Sequence, residues 1–179
     1  RAVQELQEEG DFAVTLPRIG VMVEVPATII QIADLAQRAD FISIGSNDLT
    51  QYLLAVDRNN TRVADLYSAY HPSVLRAVRY VVNEVHRVGK TVSICGEMAG
   101  DPGTAILLMA MSFDSLSMSA SNLLKVRKTI CHTPLSEAKL LLDEVLAYDN
   151  PVQIRATVEA KLTALGLIDL IRPQGARAS

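Results

Sequence analysis

Three side chains sit where apolar runs end and turns begin. Glu24 closes RIGVMVE, Asp48 follows FISIGSN with Asn47 beside it, and Cys95 closes TVSIC. A carboxylate, a carboxylate next to an amide, and a thiol are poor choices for packing there. They suit chemistry on a ligand, because α/β barrels and open α/β sheets gather their functional groups at the carboxyl ends of strands. Arg58, in the polar stretch beyond the next helix, adds a guanidinium that stays charged and forms paired hydrogen bonds to phosphate or carboxylate. Each residue also has a structural alternative. Glu24 suits a salt bridge at a sheet rim, Asn47 a turn and Asp48 a helix N-cap. Arg58 suits a solvated pair with Asp57, and Cys95 suits inert packing, since free cysteine is among the most buried residue types.

The elements that must position them follow from periodicity and punctuation. The run at 18–24 lies between Pro17 and Pro26, which limits it to a short buried strand. Pro26 opens a helix over 26–38 with Ile29, Ile30, Ala33 and Ala36 as its apolar face. FISIG (41–45) reads as a second strand, followed by a helix that Ser46 or Asp48 caps. A polar loop over 57–62 leads to a long amphipathic helix over 71–89, capped by Ser73 and stopped by Gly89. TVSIC (91–95) is a third strand, Asp101-Pro102 starts another helix, and FDSLSM (113–118) is a fourth strand. Helices at about 121–131, 135–147 and 151–165 complete the chain, and residues 1–9 read as helical.

Strand and helix therefore alternate, which predicts an α/β fold with a parallel sheet. Continuously apolar strands point to a sheet covered on both faces. Four β/α units make half of a (β/α)8 barrel. The alternative is a complete four-stranded, doubly wound sheet. Half a barrel leaves two edge strands and an open face. Together with an opening at Arg1 in mid-helix pattern, this leads us to expect a piece of a longer protein. The expected division is a partial barrel over 1–150, a helix over 151–172 packed on the barrel or in a dimer interface, and a disordered tail over 173–179.

Composition narrows the function. The chain has 179 residues, 49% of them hydrophobic, and a net charge of −3, so it can bury one core and makes no electrostatic case for nucleic acid or an anionic membrane. No apolar run approaches the ~20 residues of a membrane-spanning helix. Cys95 and Cys131 are expected to be reduced thiols in a cytoplasmic protein, and their surroundings lack zinc-ligand spacing.

The stretches GVMVEVPA (20–27), DFISIGSNDLTQY (40–52), Asp57-Arg58 and CGEMAG (95–100) resemble the phosphoenolpyruvate-utilising enzyme family over about residues 18–147. The Val56-Asp57-Arg58 ending is similar to the branch of phosphoenolpyruvate–protein phosphotransferases, Enzyme I of the phosphotransferase system. The closing Gly166…Leu170-Ile171-Arg172 is similar to its nitrogen-related form.

The resemblance implies the last four β/α units, the C-terminal half, of a phosphoenolpyruvate-binding TIM-type barrel with extra C-terminal helices. It implies transfer of the phosphoryl group to a histidine on an upstream domain and then to a small histidine-bearing carrier protein, with release of pyruvate. His71, His86 and His132 match no such motif. Glu24 and Asp48 are implied as Mg²⁺ ligands, and the type suits them, since Mg²⁺ takes one or two carboxylates plus substrate oxygens. Asn47, Asp48 and Arg58 are implied as substrate contacts. Cys95 is implied as the general acid that protonates the enolate. Glu97 is a candidate orienting group or a simple cap. Ser117 and Ser119 are candidates for the pocket floor or for ordinary strand-end bonding. A homodimer through the barrel domain is implied, and the apolar stripe of Leu140, Leu141, Val145, Ile154, Val158, Leu162 and Leu165 suits either that interface or the core. The alternatives are a dikinase or synthase of the same family, and a non-catalytic dimerisation or regulatory module. The chain by itself is expected to be inactive.

Overall fold

The computed structural model describes residues 2–10 and 15–171. Arg172 and the tail over 173–179 lie outside the described residues. After helix α1 (Ala2–Glu9), strands β1 (Gly20–Val23), β2 (Phe41–Gly45), β3 (Thr91–Cys95) and β4 (Ser115–Ser117) form one parallel sheet in the order β1-β2-β3-β4. The crossovers carry α2 (Pro26–Ile30), α3 (Ile32–Arg38), α4 (Ser46–Leu54), α5 (Pro72–Arg87), α6 (Glu97–Gly100) and α7 (Pro102–Ala110). Helices α8 (Ala120–His132), α9 (Leu135–Leu146) and α10 (Pro151–Ala164) follow β4.

This strand order has no reversal. A doubly wound sheet needs a switch point where the order turns back, and the sheet has none. Right-handed crossovers that always step the same way put every helix on one face. The burial pattern agrees. Val23, Ile42, Ile44, Val92 and Ile94 are buried against the helices. On the opposite face Met22, Ser43, Ser93 and Ser115 share one cross-sheet row, and none of them is buried. The strands thus alternate. Among the described residues no helix packs on this second face, which the Ser at the centre of FISIG and of TVSIC lines.

Local chemistry explains the helix ends. Pro26, Pro72, Pro102 and Pro151 each sit at the start of a helix, where a missing N–H costs nothing. Asp101 accepts from Thr104 N–H at 2.8 Å, and Asn150 accepts from Val152 N–H at 2.8 Å. The cap of α5 is His71, whose Nδ1 accepts from Ser73 N–H at 3.2 Å, rather than Ser73 itself. Gly45 precedes α4 and no side chain caps it, so neither Ser46 nor Asp48 has the capping role that the pattern suggests. Both lie inside the first turn. Gly89 ends the α5 segment at φ +72. The helix expected over 26–38 breaks at Gln31, and its inner residues are Ile32 and Ala36, while Ile30 is 83% exposed.

Helix α7 is hydrophobic all round and almost wholly buried, which requires cover on its outer side. Helices α9 and α10 supply it. Leu141, Val145, Ile154, Val158 and Leu162 enter this core, so that stripe is spent inside the chain and only Leu140 points outward. Arg76 ties α5 to the end of α9 by donating to the carbonyls of Leu146 and Tyr148, each at 3.0 Å.

At the amino end of the sheet Asp114 accepts from Val92 N–H at 2.7 Å and meets His86 Nε2 at 3.0 Å. Burial pushes its carboxyl up, but the bonds from His86 and Val92 outweigh that and hold it below its ordinary value. Its stabilising share is therefore complete above the ordinary carboxylate range and is lost as pH falls through the lowered folded value. Asp114→Ala is expected to cost about 1 kcal/mol at neutral pH, the ion-pair share being small because the group is 42% exposed. Urea melts of the two proteins, run at neutral pH and again at pH 3, check this: the gap must shrink in acid.

Candidate functional site

The parallel register sets the site. Gly45 pairs with Cys95 and Cys95 with Ser117, so the last residues of β2, β3 and β4 stand in one row. Glu24 follows Val23, the partner of Ile44, and comes level with Gly45. Its side chain lies across the Gly45 backbone: a Cβ there would stand 2.5 Å from Glu24 Oε1 and 2.6 Å from its Cγ. Gly45 is a cradle for this carboxylate, and a larger residue would displace it.

Asn47 and Asp48 sit in the first turn of α4, immediately beyond the row. The Asn47 Oδ1 accepts from Glu97 N–H at 2.9 Å, which leaves its NH2 as the donor end. Asp48 Oδ1 lies 3.8 Å from Arg58 Nη2. The Arg58 backbone N–H donates to Gln51 Oε1 at 3.3 Å, folding the loop back onto α4. Arg58 Nη1 and Thr50 Oγ1 are both buried and make no hydrogen bond of ordinary geometry, but both act on the nearby Tyr67 hydroxyl.

Asn47, Cys95, Gly96, Glu97, Ser117 and Ser119 line a cleft of about 360 Å³. Glu24, Asp48 and Arg58 stand outside this lining, yet two of them act on it. The Cys95 thiol is raised above its ordinary value first by burial and then by the charges of Glu24 and Asp48. Both carboxylates therefore work on the same sulfur, and the thiol is held protonated. A thiol kept in its neutral form can donate a proton.

Two residues here escaped the sequence reading. Asn122 completes the cleft wall from the first turn of α8, a place its spacing after β4 marks only once the strand end is known. Tyr67 donates to the Asn47 carbonyl at 3.4 Å. Its hydroxyl is raised by burial and by Glu97, against the pull of Thr50 and Arg58. No motif announced it. The three histidines have structural partners instead: His71 caps α5, His86 meets Asp114, and His132 Nδ1 contacts the Lys128 carbonyl at 2.8 Å.

A parallel sheet with candidate site groups at its carboxyl strand ends is the arrangement in which α/β proteins place their ligand sites. The family described as PEP-utilising enzyme, PEP-binding domain, matches residues 1–135, and the chain belongs to that family. It is 41% identical over 172 residues to a Salmonella typhimurium protein named phosphoenolpyruvate-dependent phosphotransferase system, covering 96% of this chain and 23% of the relative. It is 41% identical to the phosphoenolpyruvate-protein phosphotransferase of Haemophilus influenzae, over 87% of this chain and 27% of the relative. The Buchnera aphidicola protein of the same name is 44% identical over 78% of this chain and 24% of its own length. The chain thus spans about a quarter of the length of the curated relatives it matches. Among the described residues no helix is long and apolar enough to cross a membrane.

The field on Cys95 can be measured. With Cys131→Ser as background, Glu24→Gln removes one of the charges that raise the thiol. The midpoint of the pH profile for iodoacetamide alkylation is expected to fall, with faster labelling at a fixed pH below it. An unmoved midpoint would place the Glu24 carboxylate away from the sulfur.

Proposed function

We propose that this chain forms the phosphoenolpyruvate-binding part of a phosphoenolpyruvate–protein phosphotransferase. The observation that carries the reading is the Cys95 thiol, set at the end of β3 in a cleft with Asn47 and held protonated within the field of Glu24 and Asp48. Family membership and the names of the relatives support the same substrate.

Phosphoenolpyruvate is a compact trianion-like ligand, so it needs donors and cations. The Asn47 NH2 meets a carboxylate or phosphate oxygen, and the part-exposed Arg58 guanidinium beside Asp48 takes a phosphate oxygen. Glu24 and Asp48 fit Mg²⁺ by type, since that ion takes one or two carboxylates plus substrate oxygens, and Glu24 has its cradle at Gly45. A bound Mg²⁺ would offset charge on the substrate oxygens.

The reaction then divides between domains. The bond between the phosphorus and the enol oxygen breaks as a histidine nitrogen on another domain takes the phosphoryl group. The enolate collapses to the ketone as its C3 takes the proton from the Cys95 sulfur, and pyruvate leaves. Solvent returns a proton to the thiolate. The phosphohistidine passes its group to a histidine-bearing carrier protein. The uncovered sheet face and the apolar hollow of about 390 Å³ beside edge strand β4, lined by Met109, Phe113, Leu116, Val126 and Ile130, support the further reading that this sheet is the C-terminal half of a (β/α)8 barrel. A homodimer through that barrel belongs to the same reading.

In the protein that joins this chain to its phosphohistidine domain, Cys95→Ala is expected to lower pyruvate formation by about 10²–10⁴-fold while the melting transition is kept. Arg58→Lys is expected to raise KM for phosphoenolpyruvate more than it lowers kcat, since it keeps the charge and loses the paired bonds. Undiminished pyruvate release by Cys95→Ala in a turnover assay sinks the proton-donor role.

A further inference from the structure

The thiol's position depends on a turn that crosses from β3 to α6, and that turn is held by its neighbour across the sheet. Ser46 is 1% exposed, and its hydroxyl donates to the Cys95 carbonyl at 2.7 Å. One residue on, Asn47 Oδ1 accepts from Glu97 N–H at 2.9 Å. Between the two anchored residues lies Gly96, at φ +101 and ψ −164, a conformation open essentially only to glycine. The space matches the dihedral: a Cβ at Gly96 would run into Ser46 Oγ and stand 2.8 Å from Asn47 Oδ1. The first turn of α4 thus presses directly on the bare face of Gly96 and bonds the residues on either side of it.

We propose that Ser46 is a positioning residue for the Cys95 thiol, acting as one jaw of a clamp in which Ser46 holds Cys95, Asn47 holds Glu97, and Gly96 lets the two jaws close. This rests on the reading of Cys95 as proton donor, and it extends that reading to Ser46 and Gly96, which make no substrate contact. The physical case is one of constraint. Cys95 is the last residue of β3, and beyond it the β3–β4 and β2–β3 ladders stop. The sheet alone therefore fixes the Cys95 backbone on one side only. A buried hydroxyl on its carbonyl fixes the other, and loss of that bond leaves the carbonyl without this donor in a site closed to water on the Ser46 side. The same clamp couples the groups across the site. With its oxygen accepting from Glu97 N–H, Asn47 keeps its NH2 as the free donor end, so the amide and the thiol are held from the same turn.

The test uses this chain with Cys131→Ser, so that Cys95 is its only thiol, and follows iodoacetamide labelling at one fixed pH. Ser46→Ala is expected to speed labelling by about fivefold, the equivalent of ~1 kcal/mol for one lost hydrogen bond. Ser46→Thr keeps the hydroxyl and is expected to label like the parent. A packing role alone would lower the melting temperature of Ser46→Ala without raising Cys95 labelling at temperatures well below the transition. Should Ser46→Ala fail to fold cooperatively, Asn47→Ala opens the other jaw by removing the bond to Glu97 N–H, and its labelling is expected to rise in the same way. A folded Ser46→Ala or Asn47→Ala protein that labels at the parent rate overturns the proposal. In turnover by the joined protein, Ser46→Ala is expected to lower kcat by a larger factor than it raises KM for phosphoenolpyruvate, because Asn47 keeps its own bond to Glu97. Loss of turnover in Cys95→Ala with none in Ser46→Ala removes the clamp and keeps the proton donor; unchanged turnover in Cys95→Ala removes the proton donor, whatever the labelling shows.

Discussion

The register of four parallel strands carries everything else in this molecule. Gly45, Cys95 and Ser117 end their strands in one row, with Glu24 brought level by the pairing of Val23 with Ile44. Side chains in a strand alternate with a period of two, so a slip of one residue in any strand would turn its terminal group into the helix layer. The slip is opposed by the other face. Val23, Ile44 and Ile94 are all fully buried one position earlier, and moving any of them outward would expose a large apolar side chain. Burial on one face thus holds the reactive groups in line on the other.

Glycines convert that alignment into close approach. Gly45 gives its open face to the Glu24 carboxylate and Gly96 gives its open face to Ser46 and Asn47. Both sit at strand ends, where the backbone of one unit meets a side chain of the next. The chain joins neighbouring β/α units at these two points by removing a side chain rather than by adding one. The result is a cleft in which a thiol and an amide stand together, with the Glu24 and Asp48 carboxylates outside its lining but acting on the sulfur.

The outer layer answers a different requirement. An all-apolar α7 cannot face water, and the helices after β4 exist in part to cover it. Leu141, Val145, Ile154, Val158 and Leu162 serve that purpose, which ties the segment after residue 150 into the same core as the sheet. Among the described residues the serine-bearing face of the sheet has no such cover.

Local sequence determined the punctuation of the fold. The prolines at 26, 72, 102 and 151 mark helix starts, Gly89 marks a stop, and the apolar runs mark the strands, because these signals act through a residue's own dihedrals and its nearest neighbours. The candidate site residues were legible for a related reason: charged or reactive groups at strand ends stand out against an apolar pattern. Tertiary structure decided what spacing cannot carry. Ser46 and Asp48 look alike as possible caps, yet Ser46 is sealed against the Cys95 carbonyl and Asp48 faces Arg58. Tyr67 and Asn122 reach the site from a loop and a later helix with no motif to announce them. Whether Leu140 and Leu141 were surface or core depended on where α10 packs. Each of these rests on contacts between residues far apart in the chain, and such contacts exist only after the crossovers have closed.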